Sequence, residues 1–254
     1  MTKRDNEKEW TDLGYPKGMG SSKFRLPPPD RDFIRAYHLT SAEHGISNIS
    51  LRRLKVARFS EINDPFELMP LISSNAQIHK MIVGLRGLQN RNMGLLCFSE
   101  NWTTPMLWSH YADKHKGICL GFDLKRGSWV QKVIYKEKRP RAKLDKIEDP
   151  SSMEKNILDL LLLTKFKGWE YEHEIRKIVY LSKAKKEKRL YFLPFDEDMI
   201  LKEVILGVRN VLSLEDIRKL TKATNPAAVV FKTRLERKGF RIVGDGNYPP
   251  EIPK

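Results

Sequence analysis

Four short stretches carry residue types that could do chemistry. In "WEYEHEIRKIVYL", Glu170, Glu172, Glu174 and Arg176 recur two apart. At strand spacing, alternate residues share a face, so this reading puts three carboxylates side by side. Like charges so placed need basic partners, a bound cation or a raised pKa. A late glutamate at a strand entry is also a candidate to act on a ligand. In "LWSHYADKHKG", Leu107, Trp108, Tyr111 and Ala112 form an apolar helical stripe with His110 at its border. A neutral imidazole there can donate and accept at once. In "YHLT", His38 and Thr40 share one strand face while Tyr37 and Leu39 take the other. That polar pair suits a sugar or an amide. In "NDPFE", Asn63 and Asp64 are expected to bond locally at a turn fixed by Pro65. With Glu67 and Arg176 they make a further polar set. Each stretch also has a plain structural reading: core aromatics at Trp108 and Tyr111, and Glu–Arg pairing along a strand.

Other chemistries lack their signatures. The chain has no G-x-x-x-x-G-K-[ST], G-x-G-x-x-G after a strand, H-E-x-x-H or G-x-S-x-G. Its two cysteines, Cys97 and Cys119, sit in apolar strand-like runs without metal-ligand spacing. They read as buried thiols of a reducing cytoplasm, and no metal is predicted. The formal charge is +15 over 254 residues. Such an excess attracts polyanions: nucleic acid, a nucleotide's phosphates or an acidic protein partner. The charged start has no apolar segment of signal type, and "ILDLLLL" is too short to span a bilayer. The expectation is a cytoplasmic protein with no membrane partner.

The elements that must position these residues follow from pattern. Residues 1–31 read as a polar arm closed by "PPP", and 32–254 as a single globular domain. Strands are expected at 33–39, "LKVARFS", "MGLLCFSE", "ICLGFDL", "VQKVIYK", "EIRKIVYL", "KRLYFLPF", "LKEVILG", "AAVVFKTR" and "GFRIVGD". Helices are expected after Thr40 or Ser41, over 75–92, from the Thr104 cap to Gly117, over 151–168, and after Ser213, which opens a capping box with Asp216. The sum is α+β: a mixed or antiparallel sheet core of short strands flanked by four or five helices.

Together, "FSEINDPFE", "LLCFSE", "MLWSHYADKHKGICLGFD" and "KGWEYEHEIRKIVY" resemble a widespread bacterial domain of unknown function, from about residue 35 to about 240. Its recurring words are N-D-P-F-E, C-F-S, M-W-x-H-Y and W-x-Y-E-x-E-x-R; here Leu107 splits the Met–Trp pair. Genes of this kind resemble parts of anti-phage or toxin sets. The order of the words is more distantly similar to the ADP-ribosyltransferases, nearest the DNA-targeting toxin branch. That resemblance implies NAD as substrate and a nucleic acid or protein acceptor. It implies His38 and Thr40 near the ribose, Trp108 or Tyr111 on the nicotinamide and His110 beside it. Glu174 would be the catalytic carboxylate, with Glu172 the alternate, and Arg58 or Arg176 would face the pyrophosphate. Two other readings stay open. One is a metal-dependent nuclease using Asp64, Glu172, Glu174 and His110; the other is a non-catalytic protein that binds nucleic acid or a partner.

Overall fold

The computed structural model describes residues 26–64, 66, 76–127, 129–140 and 150–248. The arm proposed for 1–31 lies almost wholly outside them. In chain order the elements are β1 Phe33–Thr40, α1 Ala42–Leu51, β2 Arg53–Val56, α2 Ala76–Asn92, β3 Met93–Ser99, α3 Pro105–Tyr111, β4 Ile118–Lys125, β5 Val130–Lys132, β6 Ile134–Lys136, α4 Pro150–Leu163, β7 Thr164–Phe166, β8 Glu174–Tyr180, β9 Lys185–Glu187, β10 Leu190–Pro194, β11 Met199–Leu206, α5 Leu214–Thr224, β12 Val229–Leu235 and β13 Ile242–Gly244. Short 3-10 turns cover Phe59–Glu61, Lys167–Glu172 and Leu181–Lys183. The α+β expectation holds, with mostly antiparallel strands and, among the described residues, two parallel pairs: β11–β12, joined through α5, and β6–β7. No helix of the described residues is long and apolar enough to cross a membrane.

The chain divides into two compact units. The first combines residues up to Arg52 with Glu100–Arg126 and the stretch from Phe195 onward. Its strands run in the order β13-β12-β11-β4-β1. Ser41 caps α1 by accepting from the His44 amide, and Ser213 caps α5 by accepting from the Asp216 amide. These hydroxyls satisfy helix N–H groups that have no partner in the helix. Trp102, Trp108, Cys119, Ile205, Phe231 and Ile242 form a buried core here. α3 is shorter than its pattern suggests. Thr104 holds the cap position, but its hydroxyl bonds Asn101 at 3.1 Å instead of capping the helix. The helix ends at Tyr111 because Asp113, Lys114 and His115 all take positive φ, from 43° to 73°. Gly117 follows where the backbone passes Thr40 so closely that a Cβ would stand 2.1 Å from the Thr40 carbonyl oxygen.

The second unit comprises Arg53–Ser99 and Gly127–Pro194. It holds β3-β8-β5 strands in that order, a small β2-β10-β9 sheet and the parallel β6–β7 pair. Ile82 of α2, Leu161 and Leu162 of α4, Leu95 of β3 and Ile178 of β8 build its core. Two segments differ from the pattern reading. "VQKVIYK" breaks at Val133 into β5, which pairs with β8, and β6, which pairs with β7. α4 stops at Leu163 instead of continuing to 168, because Thr164–Phe166 is drawn into pairing with β6.

Candidate functional site

The acidic stretch is not the continuous strand its spacing suggested. Glu170 and Glu172 lie in the 3-10 turn Lys167–Glu172, and His173 takes a left-handed conformation, φ 43°. Only then does β8 begin at Glu174. A non-glycine residue in that region re-aims the chain sharply. Glu172 therefore comes onto the same group as Glu174 from a different direction, and both are buried, at 4% exposure each.

That group is Lys165, on β7. Its Nζ donates to Glu172 Oε2 at 2.6 Å and to Glu174 Oε2 at 2.9 Å. Arg176 closes the other side. Its Nε donates to Glu174 Oε1 at 2.8 Å, its Nη2 to Glu174 Oε2 at 3.1 Å, and its Nη1 to the Leu162 carbonyl at 2.6 Å. Two cations thus meet two carboxylates away from water. Burial alone would push the Glu174 carboxyl up, but Arg176 and then Lys165 outweigh it and hold it down at about 2. Burial likewise works against the charge on Lys165, and Glu174 and Glu172 overcome it, so its pKa rises. The need for basic partners is met from inside the unit, and Glu174 stays ionised.

The C-F-S word belongs to the same place. β3 pairs antiparallel with β8, setting Cys97 opposite Arg176 and Ser99 opposite Glu174. Ser99 Oγ donates to the Glu172 carbonyl at 2.6 Å. Cys97 Sγ lies in the same cluster; burial first, then the Glu174 charge, pushes its thiol well above the ordinary range. Tyr135, register partner of Lys165 across β6–β7, accepts from the Glu174 amide at 2.8 Å. Burial and the nearby carboxylates lift its phenol to about 12.

A cavity of about 270 Å³ opens beside Lys165, lined by Asp64, Phe66, Lys136, Arg139, Thr164 and Phe166 among others. Asp64 and Thr164 are 5% and 3% exposed, yet Asp64 Oδ2 and Thr164 Oγ1 have no hydrogen-bond partner among the described residues. Buried polar atoms normally do have one. The other Asp64 oxygen accepts from the Phe66 amide at 2.9 Å, the local turn bond expected of N-D-P-F-E. Phe66 and Phe166 keep about half their surface exposed, at 53% and 49%. Arg139 lies 5.9 Å over the Phe66 ring and Lys165 lies 5.2 Å over the Trp169 ring. Aromatic surface, cations and two unsatisfied oxygen atoms therefore meet around one space. At this size the cavity lies just below the ~300–1,000 Å³ of whole drug-sized ligand sites.

The remaining candidates fall as follows. Arg58 stands at the start of the turn Phe59–Glu61 and donates from Nη2 to the Asn90 carbonyl at 2.6 Å, which ties its side chain to the end of α2. Asn63 is exposed, and Glu67 lies outside the described residues. In the first unit, Trp108 is fully buried and its Nε1 donates to the Trp102 carbonyl at 2.5 Å, so its ring is core. His110 is exposed and meets the half-buried Tyr111 edge-on, with centroids 6.1 Å apart. His38 is half-buried opposite Leu120, and Thr40 is buried opposite Ile118. The second unit thus brings together Asp64, Glu172, Glu174 and Arg176. His38, Thr40, Trp108, His110 and Tyr111 belong to the first unit.

Reading from sequence missed Lys165, Thr164, Tyr135 and Phe166. The available signal was a lysine set directly behind an apolar run, "LLLLTKF", where a charge needs a buried partner. It also missed a second ionic cluster, in the first unit. There Arg35 pairs with Asp123 and, at 3.2 Å, with Glu203. Gly121 makes room for it, since a Cβ would stand 2.7 Å from Glu203 Oε2. Burial raises the Glu203 carboxyl despite Arg35.

Residues 107–177 match the model of a family described as "Protein of unknown function (DUF2971)". The match carries the WSHY word, Tyr135, Thr164, Lys165 and the Glu172–Arg176 cluster, while YHLT, N-D-P-F-E and C-F-S lie before it. No curated protein and no solved structure matches the chain. Among the described residues, no group of three or more His, Cys, Asp or Glu side chains is placed to hold a metal ion.

Proposed function

We propose that this protein binds a nucleotide-class ligand, with NAD the first to test, in the cavity of the second unit. The observation that carries this reading is the coincidence at one cavity of two unsatisfied buried oxygens with half-exposed aromatic rings and several cations. A phenyl face can stack on a base or nicotinamide ring. Lys136, Lys138 and Arg139 offer charge-assisted bonds to phosphate oxygens. Asp64 Oδ2 can accept from a ribose hydroxyl or an exocyclic amine, and Thr164 Oγ1 can donate or accept. Glu172 and Glu174 are positioning groups here: they hold Lys165 at the cavity wall. A thermal-shift series with NAD, AMP and inorganic phosphate tests the reading. Saturating NAD or AMP should raise the melting temperature of the wild type and leave Asp64→Asn unmoved, because the amide keeps the turn bond but offers a donor where an acceptor is needed. No shift with any nucleotide would sink it.

A second reading, transfer of ADP-ribose from NAD in a defence or toxin setting, draws support from the carboxylates standing one side chain away from the cavity. Breaking the nicotinamide–ribose bond builds positive charge on the sugar, which a nearby carboxylate stabilises. Labelled NAD incubated with single-stranded DNA or with protein acceptors should yield modified acceptor or free nicotinamide, and Glu174→Gln should lose it. NAD binding without turnover would leave the first reading standing and remove the second.

A further inference from the structure

The β12–β13 hairpin of the first unit presents a feature that the cavity does not use. Its base is fixed. Phe231 and Ile242 are buried at 1% and 0% exposure, and Thr233 Oγ1 donates to the Leu206 carbonyl at 2.7 Å. Its end is closed by the Glu236 amide donating to the Arg241 carbonyl at 2.9 Å. On this rigid mount Phe240 stands 99% exposed, with Leu235 at 61%. The segment "RLERKGFR" surrounds the ring with four cations and one carboxylate, and that carboxylate, Glu236, is paired with Arg241 at 3.0 Å.

We infer that this hairpin end is a contact element for single-stranded nucleic acid. A ring with both faces in water can stack on an unstacked base, and such stacking tolerates any base sequence. Arg237 and Lys238, both exposed, come just before the ring in the chain, and guanidinium groups match phosphate oxygens bidentately. One stacking face set beside cations matches one base set beside its phosphates. A duplex hides its base faces and would engage only the charges. A lipid surface would need a larger apolar area than one phenyl and one leucyl side chain supply. The net charge of +15 adds long-range attraction for the same polyanion. The inference is independent of the nucleotide cavity, because it rests on a different unit and different residues.

The test is fluorescence anisotropy with labelled single strands of about 12 nucleotides. Phe240→Ala should weaken binding about 5- to 100-fold with little change in salt dependence, since stacking releases no counterion. Arg237→Gln combined with Lys238→Gln should weaken binding and lower the salt slope by roughly 1.4, about 0.7 per lost phosphate contact. Both variants lie on the exposed end, so their melting temperatures should equal that of the wild type. Unchanged affinity in Phe240→Ala would overturn the proposal. So would a duplex bound as tightly as the single strand, or binding to phosphatidylserine vesicles with none to the oligonucleotide. NAD binding through the cavity would be unaffected by either variant, so failure here and failure there are separable.

Discussion

Replacing Lys165 by Met would take one of the two cations from the buried Glu172–Glu174 cluster, leaving Arg176, which bonds Glu174. In the native cluster, Lys165 reaches Glu172 at 2.6 Å and Glu174 at 2.9 Å. The strength of the cationic surroundings can be read from Glu174, held at about 2 against an ordinary 4.5. At 1.36 kcal/mol per pH unit, that is a net of about 3 kcal/mol in favour of the ionised form, what Arg176 and Lys165 leave after overcoming burial. Deleting one member of a buried pair strands the other, at a typical cost of about 3–5 kcal/mol. We therefore expect Lys165→Met to lose about 3–5 kcal/mol, a large part of a typical domain's stability. The assay is urea unfolding followed by circular dichroism, repeated with Glu172→Gln and the double variant. Because Lys165→Met with Glu172→Gln restores neutrality, the double variant should be more stable than Lys165→Met alone by at least about 1 kcal/mol. The deficit of Lys165→Met should also shrink as pH falls, since the unpaired carboxylates regain neutrality by taking up protons. A loss under about 1 kcal/mol with no coupling to Glu172 would refute the reasoning.

Further outcomes follow from the same geometry. In the wild type, Glu174 is depressed, so its stabilising contribution is complete above the ordinary glutamate range and is lost as pH falls through about 2; Glu174→Gln should flatten that acid limb of the stability profile. Glu203 has the opposite sign: its raised carboxyl penalises the folded state once pH exceeds the ordinary glutamate range, so Glu203→Gln should match or exceed wild-type stability at neutral pH in thermal unfolding. Gly121→Ala should cost about 1–3 kcal/mol by the same assay, because the new methyl group would press on Glu203 and on Tyr37 at 3.0 Å. Trp108→Phe should cost about 1–3 kcal/mol by leaving the Trp102 carbonyl without its donor at a buried position.

The elements whose spacing matched a single period were legible. β1, β4 and α5 fall where alternation or capping placed them, although β4 is buried on both faces. The acidic stretch was half legible. Its composition implied a charged cluster with basic partners, which Lys165 and Arg176 supply. Its spacing misled, because a 3-10 turn and the left-handed His173 replace the strand over Glu170–Glu172. Backbone of that kind leaves no periodic trace. Lys165 was absorbed into the preceding helix because an apolar run continues up to it, and only pairing with β6 ends that helix at Leu163. The N-D-P-F-E word was readable as a local turn. That it also leaves one Asp64 oxygen unsatisfied beside a cavity depends on side chains more than seventy residues away, which no local pattern encodes. Trp108 read first as core from its helical stripe, with a ligand role only through the resemblance, and its burial assigns it to the core.

The most direct test of the account is calorimetric titration of NAD into wild type and Thr164→Val. The valine keeps the shape of the threonine and removes a hydroxyl that has no partner among the described residues, so the variant should be as stable as the wild type or more so. The account predicts measurable NAD binding by the wild type and an affinity at least about 5-fold weaker in the variant, the effect of one lost hydrogen bond. Identical affinities, or no heat from either protein, would contradict it.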